Sequence, residues 1–138
     1  MATYNQIEFG KNNEKKSGCL STAIIDFDEQ SVATTETVAV FNLPPKAVVT
    51  NAYFVVEKGV TGATATGKIT VGSTDTIAAV AFAGVAGTIK GGTVTKVLTN
   101  TGAEVTVTIG TADATAGRVV VVVEYDEYTL GNGTYTQI

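Results

Sequence analysis

Apolar and polar positions alternate along most of this chain with a period of two, the spacing that sends successive side chains to opposite faces of a β-strand. The cleanest stretch runs from Glu104 to Ile109, where Val105, Val107 and Ile109 share one face and Glu104, Thr106 and Thr108 the other. The same period predicts strands at Leu20 to Phe27, Thr37 to Phe41, Lys68 to Val71, Thr76 to Phe82, Thr93 to Leu98 and Arg118 to Tyr125. Between Phe41 and Glu57 lies the stretch that organises the rest. Pro44 and Pro45 donate no backbone hydrogen bond and hold φ near −65°, so the strand before them stops and the chain turns. From Ala47 to Val56 a new strand follows, with Val48, Ala52, Phe54 and Val56 on one side and Val49, Asn51, Tyr53 and Val55 on the other. One apolar and one mixed face suit a central strand of a two-layer sandwich.

Turn chemistry separates these segments. The Asp26, Asp28 and Glu29 cluster, the Gly72-Ser73 pair, Gly91-Gly92 and Asn100-Thr101-Gly102 each close one run before the next begins. About eight short strands with no convincing helix predict an all-β fold, an antiparallel β-sandwich of the jelly-roll kind, with barrel closure as the alternative. The alanine-rich Ile77 to Ala86 has helical propensity, but Gly84 and Gly87 favour a strand or tight irregular segment. Val119 to Val123 is five consecutive valines, which implies a strand covered on both faces, by the opposing sheet and by a neighbouring subunit or the arm.

Three regions follow. Residues 1–19 are polar and aperiodic and read as an arm, residues 20–128 as the sandwich, and residues 129–138 as a tail. The arm suits either a frayed terminus or a segment that orders on a neighbouring subunit, anchored there by Tyr4, Ile7 and Phe9 and by the cations Lys11, Lys15 and Lys16. A chain of 138 residues fits one domain. Its single cysteine, Cys19, forms no internal disulfide and reads as a buried thiol. No charged region followed by an apolar one opens the chain, and no apolar run is long enough to span a bilayer, so a soluble, unprocessed protein is expected.

Composition narrows the chemistry. The chain has no histidine, which removes the commonest general base and the Ser-His and Cys-His nucleophile pairs. An enzyme here would need a carboxylate pair assembled only by the fold. A net charge of −4 with one arginine, Arg118, offers no footprint for phosphate backbones, so no nucleic-acid partner is expected. Asp26 and Asp28 lack the glycine and distal glutamate of a calcium loop and read as a solvated turn. Gly62 through Lys68 spells the start of a phosphate-binding P-loop, but Ile69 replaces its Ser or Thr and the following residues have strand period, not helix. Neither cofactor nor metal is expected. Asn132-Gly133-Thr134 matches a glycosylation sequon and reads as a turn.

Leu43-Pro44-Pro45-Lys46-Ala47-Val48-Val49, the aromatic strand after it, the Gly- and Thr-rich loop leading to Ile69-Thr70-Val71-Gly72, and Thr115-Ala116-Gly117-Arg118 running into Val123-Glu124-Tyr125 resemble small virion proteins of tailed bacteriophages. The resemblance covers roughly residues 36 to 126 and carries no catalytic signature. It implies a jelly-roll head decoration, or cement, protein with no enzymatic activity. Such a protein is made in the host cytoplasm and sits on the capsid outer surface. Its partners are then the major capsid protein and itself, as a homo-oligomer with a trimer ahead of a dimer. A receptor- or glycan-binding module of a fibre or spike is the alternative, with Tyr125, Asp126 and Tyr128 as its candidate site; a tail or neck subunit is another.

Overall fold

A computed structural model describes residues 13–61 and 64–130. Among them are nine strands and no helix, in element order β1 (Asn13–Asp26), β2 (Thr37–Leu43), β3 (Ala47–Thr61), β4 (Thr66–Val71), β5 (Thr74–Ala81), β6 (Thr88–Gly91), β7 (Val97–Thr99), β8 (Ala103–Gly110) and β9 (Ala116–Leu130). They form two antiparallel sheets. The first has the order β1-β9-β3-β6, with β7 also on β3, and the second has the order β2-β8-β4-β5. The fold is an antiparallel β-sandwich.

The pairings nest. β1 pairs β9, β2 pairs β8, β3 pairs β6 and β7, and β4 pairs β5, as if the whole chain were one long hairpin. Two further pairings, β3 with β9 and β4 with β8, close it into layers. Its tip is the Gly72-Ser73 turn, where Gly72 sits at φ +62° as a two-residue hairpin requires.

Pro44 and Pro45 carry the chain from the second sheet to the first. Lys46 after them is left-handed at φ +60°. Thr99, 4 % exposed, fastens this corner. Its hydroxyl donates to the Pro44 carbonyl at 2.8 Å, its carbonyl accepts from the Lys46 amide at 2.5 Å, and its Oγ1 lies 3.3 Å from the Ala47 amide. The Lys46 carbonyl takes the Tyr128 amide at 2.9 Å.

The inner faces meet in one core. Phe82 packs between Phe27 and Phe54, at centroid distances of 6.1 and 5.0 Å, the latter edge to face. Around them lie Val119, Val121 and Val123 from β9, Val105, Val107 and Ile109 from β8, and Ile69, Val71 and Ile77, all buried. Gly67 makes room for this aromatic cluster. A Cβ there would overlap the Phe82 ring and come within 3.0 Å of Phe54.

Several boundaries and phases differ from the sequence reading. Residues 13–19 are not arm but the first half of β1, paired along β9 from Leu130 to Tyr125 with a bulge at Ser17-Gly18. The sandwich likewise continues through Leu130, not 128. Cys19 is half-buried, not buried, and lies in register with Tyr125. Of the expected strand at Thr93 to Leu98 only the end forms, as part of β7, and the Thr95 amide instead donates to the Thr76 carbonyl on β5 at 2.8 Å.

In β3 the faces exchange partway. Val49 pairs Tyr125 and Asn51 pairs Glu124, so Thr50 is an extra, bulged residue. Asn51 closes the bulge by accepting the Ala52 amide at 3.0 Å and donating to Glu124 at 2.8 Å. Val49 is therefore buried and Val48 half-buried, the reverse of a straight two-residue period.

Candidate interaction surface

The first sheet is apolar on both faces. Residues directly opposite in an antiparallel pair point the same way, and the register places Ile24, Val120, Val55 and Ile89 in one row across four strands, on the face away from the core. Thr22, Val122, Tyr53 and Gly91 form the next row. Farther along come Leu20 beside Glu124, and then Val48 with Asp126 and Leu98. Ile24 and Ile89 are 63 % and 66 % exposed, Leu20 and Leu98 both 54 %. Four of the large exposed hydrophobic side chains thus share one face, and a contiguous patch of that kind marks an interaction site where scattered single residues do not.

The five valines explain the face. Val119, Val121 and Val123 go to the core, while Val120 and Val122 face away from it, Val120 half-buried and Val122 already covered by its neighbours. A strand on a wet face would carry Thr or Lys at those outward positions.

Beside this face runs an open cleft of about 640 Å³ between β1 and β2, the two free edges on one side of the sandwich. Its floor includes Ile25, Val32, Val38 and Val40, and Asp26, Glu29 and Glu36 stand along it. Val38 and Val40 are only half-buried.

At the end of the first sheet Asp26, Asp28, Glu57, Lys58 and Arg118 form an ionic cluster. The Lys58 ammonium donates to Asp28 at 2.5 Å and the Gly117 amide donates to the same carboxylate at 3.0 Å. These hydrogen bonds, with the charges of Lys58 and Arg118, hold the Asp28 carboxyl below its usual range. Asp26 caps its own turn by accepting the Asp28 amide at 2.9 Å and faces Arg118 at 3.8 Å. Arg118 Nε lies 3.1 Å from Glu57, close enough for an ion pair though not aligned for a hydrogen bond. The acidic turn therefore answers cations of the neighbouring strands and ties the β1–β2 connection to the start of β9.

The other sequence-derived candidates fall as follows. Tyr4, Ile7, Phe9 and Lys11 lie outside the described residues, as does the Asn132 sequon. Lys15 and Lys16 belong to β1, opposite Tyr128 and Glu127, and so are part of the sheet. Tyr125 packs against the core on the inner face, whereas Asp126 occupies the outward row, so the proposed sugar platform of Tyr125, Asp126 and Tyr128 is not assembled on one side. Lys68 of the P-loop-like stretch lies in β4 and pairs with Asp75 at 3.4 Å, and Gly67 before it is committed to Phe82. The outward aliphatic row escaped the sequence reading except for one signal, the unbroken valine run.

Compared with known protein families, curated proteins and solved structures, the chain finds no match.

Proposed function

We propose that the protein is a non-enzymatic decoration subunit of a tailed-phage capsid. It binds the outer surface of the assembled head as a small homo-oligomer, with the major capsid protein as its partner, and resists separation of capsomers by making several contacts at once. The observation that carries this reading is the outward face of the first sheet, an aliphatic surface on a rigid sandwich. A further support is the nested pairing of β1 with β9 through β4 with β5 in two packed antiparallel sheets, which agrees with the jelly-roll expectation. The diproline corner and the Gly117-Arg118 junction, two of the segments that resemble phage virion proteins, are both structural joints of this sandwich.

β1 begins at Asn13 opposite Leu130, at one end of the first sheet. A ligand that binds only the assembled shell stabilises that shell by mass action.

Co-sedimentation of the purified protein with capsids lacking it tests the proposal. Saturable binding at a fixed ratio, with capsids that survive more heat or chelator, is the expected result. No binding at any concentration rejects it and directs attention to fibre, spike or tail assemblies.

A further inference from the structure

We infer that the free edge of β1 pairs with β1 of a second copy, antiparallel about a two-fold axis perpendicular to the first sheet, so that the two first sheets run on as one. The inference deepens the reading above and rests on it only for the expectation of a homo-oligomer.

The sheet edges are not alike. β6 and β7 are four and three residues long. β2 carries an irregularity between Ala39 and Phe41, and β5 is irregular against β4 and gives its Thr76 carbonyl to the Thr95 amide. Short strands, bulges and covered edges all hinder the addition of another strand. β1 has none of these devices from Cys19 to Ile25. Its pairing with β9 is unbroken there, no residue is charged or proline, and among the described residues no strand pairs with its other side. An edge of that kind is a template for strand addition.

Hydrogen-bond direction and side chains together select a second copy and its register. Along an edge strand, residues bonded to the neighbour alternate with residues whose amide and carbonyl point away. The Phe27 amide donates to Gly117 of β9 at 2.8 Å. Ile25, Ala23 and Ser21 therefore also turn to β9, and Leu20, Thr22 and Ile24 present their amides and carbonyls at the free edge. With Thr22 on the two-fold, Leu20 meets Ile24 of the second copy, and the three edge-facing pairs exchange about six main-chain bonds. Leu with Ile and Thr with Thr are favourable cross-strand pairs. On the inner side Ser21 meets Ala23, above the open cleft where Val38 and Val40 are half-buried. Asp26 falls opposite Gly18, so no carboxylates face each other. An axis one residue on, at Ala23, would set Leu20 against Asp26. Leu-Ser-Thr-Ala-Ile is aliphatic at both ends and small between, so it complements itself when reversed, as an isologous contact requires.

A two-fold perpendicular to the sheet keeps both outward faces on one side. The rows of Ile24, Val120, Val55 and Ile89 from the two copies then form one wider platform, which a capsid partner meets at two equivalent sites.

The test uses the free full-length chain, with no capsid present, so its outcome is separate from that of the co-sedimentation. Sedimentation equilibrium over a concentration series is run on the wild type, on Thr22→Pro, on Leu20→Lys/Ile24→Lys, on Leu20→Lys/Ile24→Glu, and on a deletion of residues 2–12. Thr22→Pro removes an amide that faces the free edge and breaks no bond to β9, a position at which an edge strand tolerates proline. Leu20 and Ile24 are both exposed, so their variants retain the fold even where the proline does not, which far-UV circular dichroism checks. The expected wild-type mass is twice the 14.2 kDa of one chain. Thr22→Pro and the double lysine variant weaken the dimer at least tenfold. Leu20→Lys/Ile24→Glu sets opposite charges across the two-fold and restores it, and the deletion stays dimeric. A monomeric or trimeric wild type overturns the inference. So does a double lysine variant that dimerises as tightly as the wild type, or a lysine-glutamate variant no tighter than the double lysine one. A dimer that is lost on the deletion, or that forms only on it, also overturns the inference and assigns the contact or the edge to the N-terminal residues.

Discussion

The two outward faces of this sandwich are built on the same antiparallel framework and differ in nearly every side chain. On the second sheet the outward rows are Thr37, Thr108 and Lys68, then Ala39, Thr106, Thr70 and Asp75. These side chains bond one another: Thr37 and Thr108 at 3.0 Å, Thr70 to Asp75 at 3.0 Å, Lys68 to Asp75 at 3.4 Å. Such a face is complete in water. On the first sheet the corresponding rows are Ile24, Val120, Val55 and Ile89, which bond nothing and gain only by being covered. The difference assigns the molecule a front and a back. Strand geometry alone would allow either sheet to be the contact surface of the proposed function, and the side-chain choice at alternate positions is what favours the first.

The sharpest calibration comes from the interior that both sheets share. Phe54→Ala removes the ring against Phe82 and is expected to lower stability by about 3–5 kcal/mol in urea unfolding, whichever outward face is considered. Gly67→Ala pushes a methyl group into Phe82 and should cost about 1–3 kcal/mol by the same measurement. A smaller loss would mean that the aromatic cluster can shift.

Conversion of the back into a front is the direct way to break the comparison. Thr106→Val/Thr108→Val should leave monomer stability within about 0.5 kcal/mol while adding a second adhesive surface, read as an increase in light-scattering mass. If the mass does not change, threonine is not what keeps the second face apart.

The smallest effect expected is at the ionic cluster. The Asp28 carboxyl titrates below its ordinary value of 3.8 in the folded protein, so its contacts contribute stability above that pH and lose it as the pH falls through the lower folded value. Asp28→Asn should be less stable than the wild type near neutrality, and the gap should close as the pH falls below that ordinary value. Thermal unfolding across an acid series measures it. A gap independent of pH would place the effect in the turn geometry and not in the charge.

Much of the fold was legible. Val105, Val107 and Ile109 are buried as their alternation predicts, because β8 has no irregularity between them and neighbours on both sides. Alternation failed where the backbone adds a residue. Thr50 bulges, and every side chain before it changes face relative to those after it, with no composition signal beyond an Asn beside a Thr. The arm boundary failed for another reason. Residues 13–19 are too polar to read as a strand, yet β9 supplies partners for Asn13 to Lys16 and again for Cys19, across a bulge at Ser17-Gly18, and cross-strand pairing overrides weak local propensity.

The sequence by itself determined the period of two, the breaks at Pro44-Pro45 and Gly72-Ser73, and the presence of more valine in β9 than a half-exposed strand needs. Those are local properties, set by side-chain volume, φ restriction and the lack of a backbone donor in proline. Which strands lie side by side, where β3 slips phase, and the alignment of Ile24, Val120, Val55 and Ile89 into one outward row were decided only by the tertiary structure. The reason is that each depends on register between segments as far apart as β1 and β9, and no residue carries its register with a distant strand in its own chemistry.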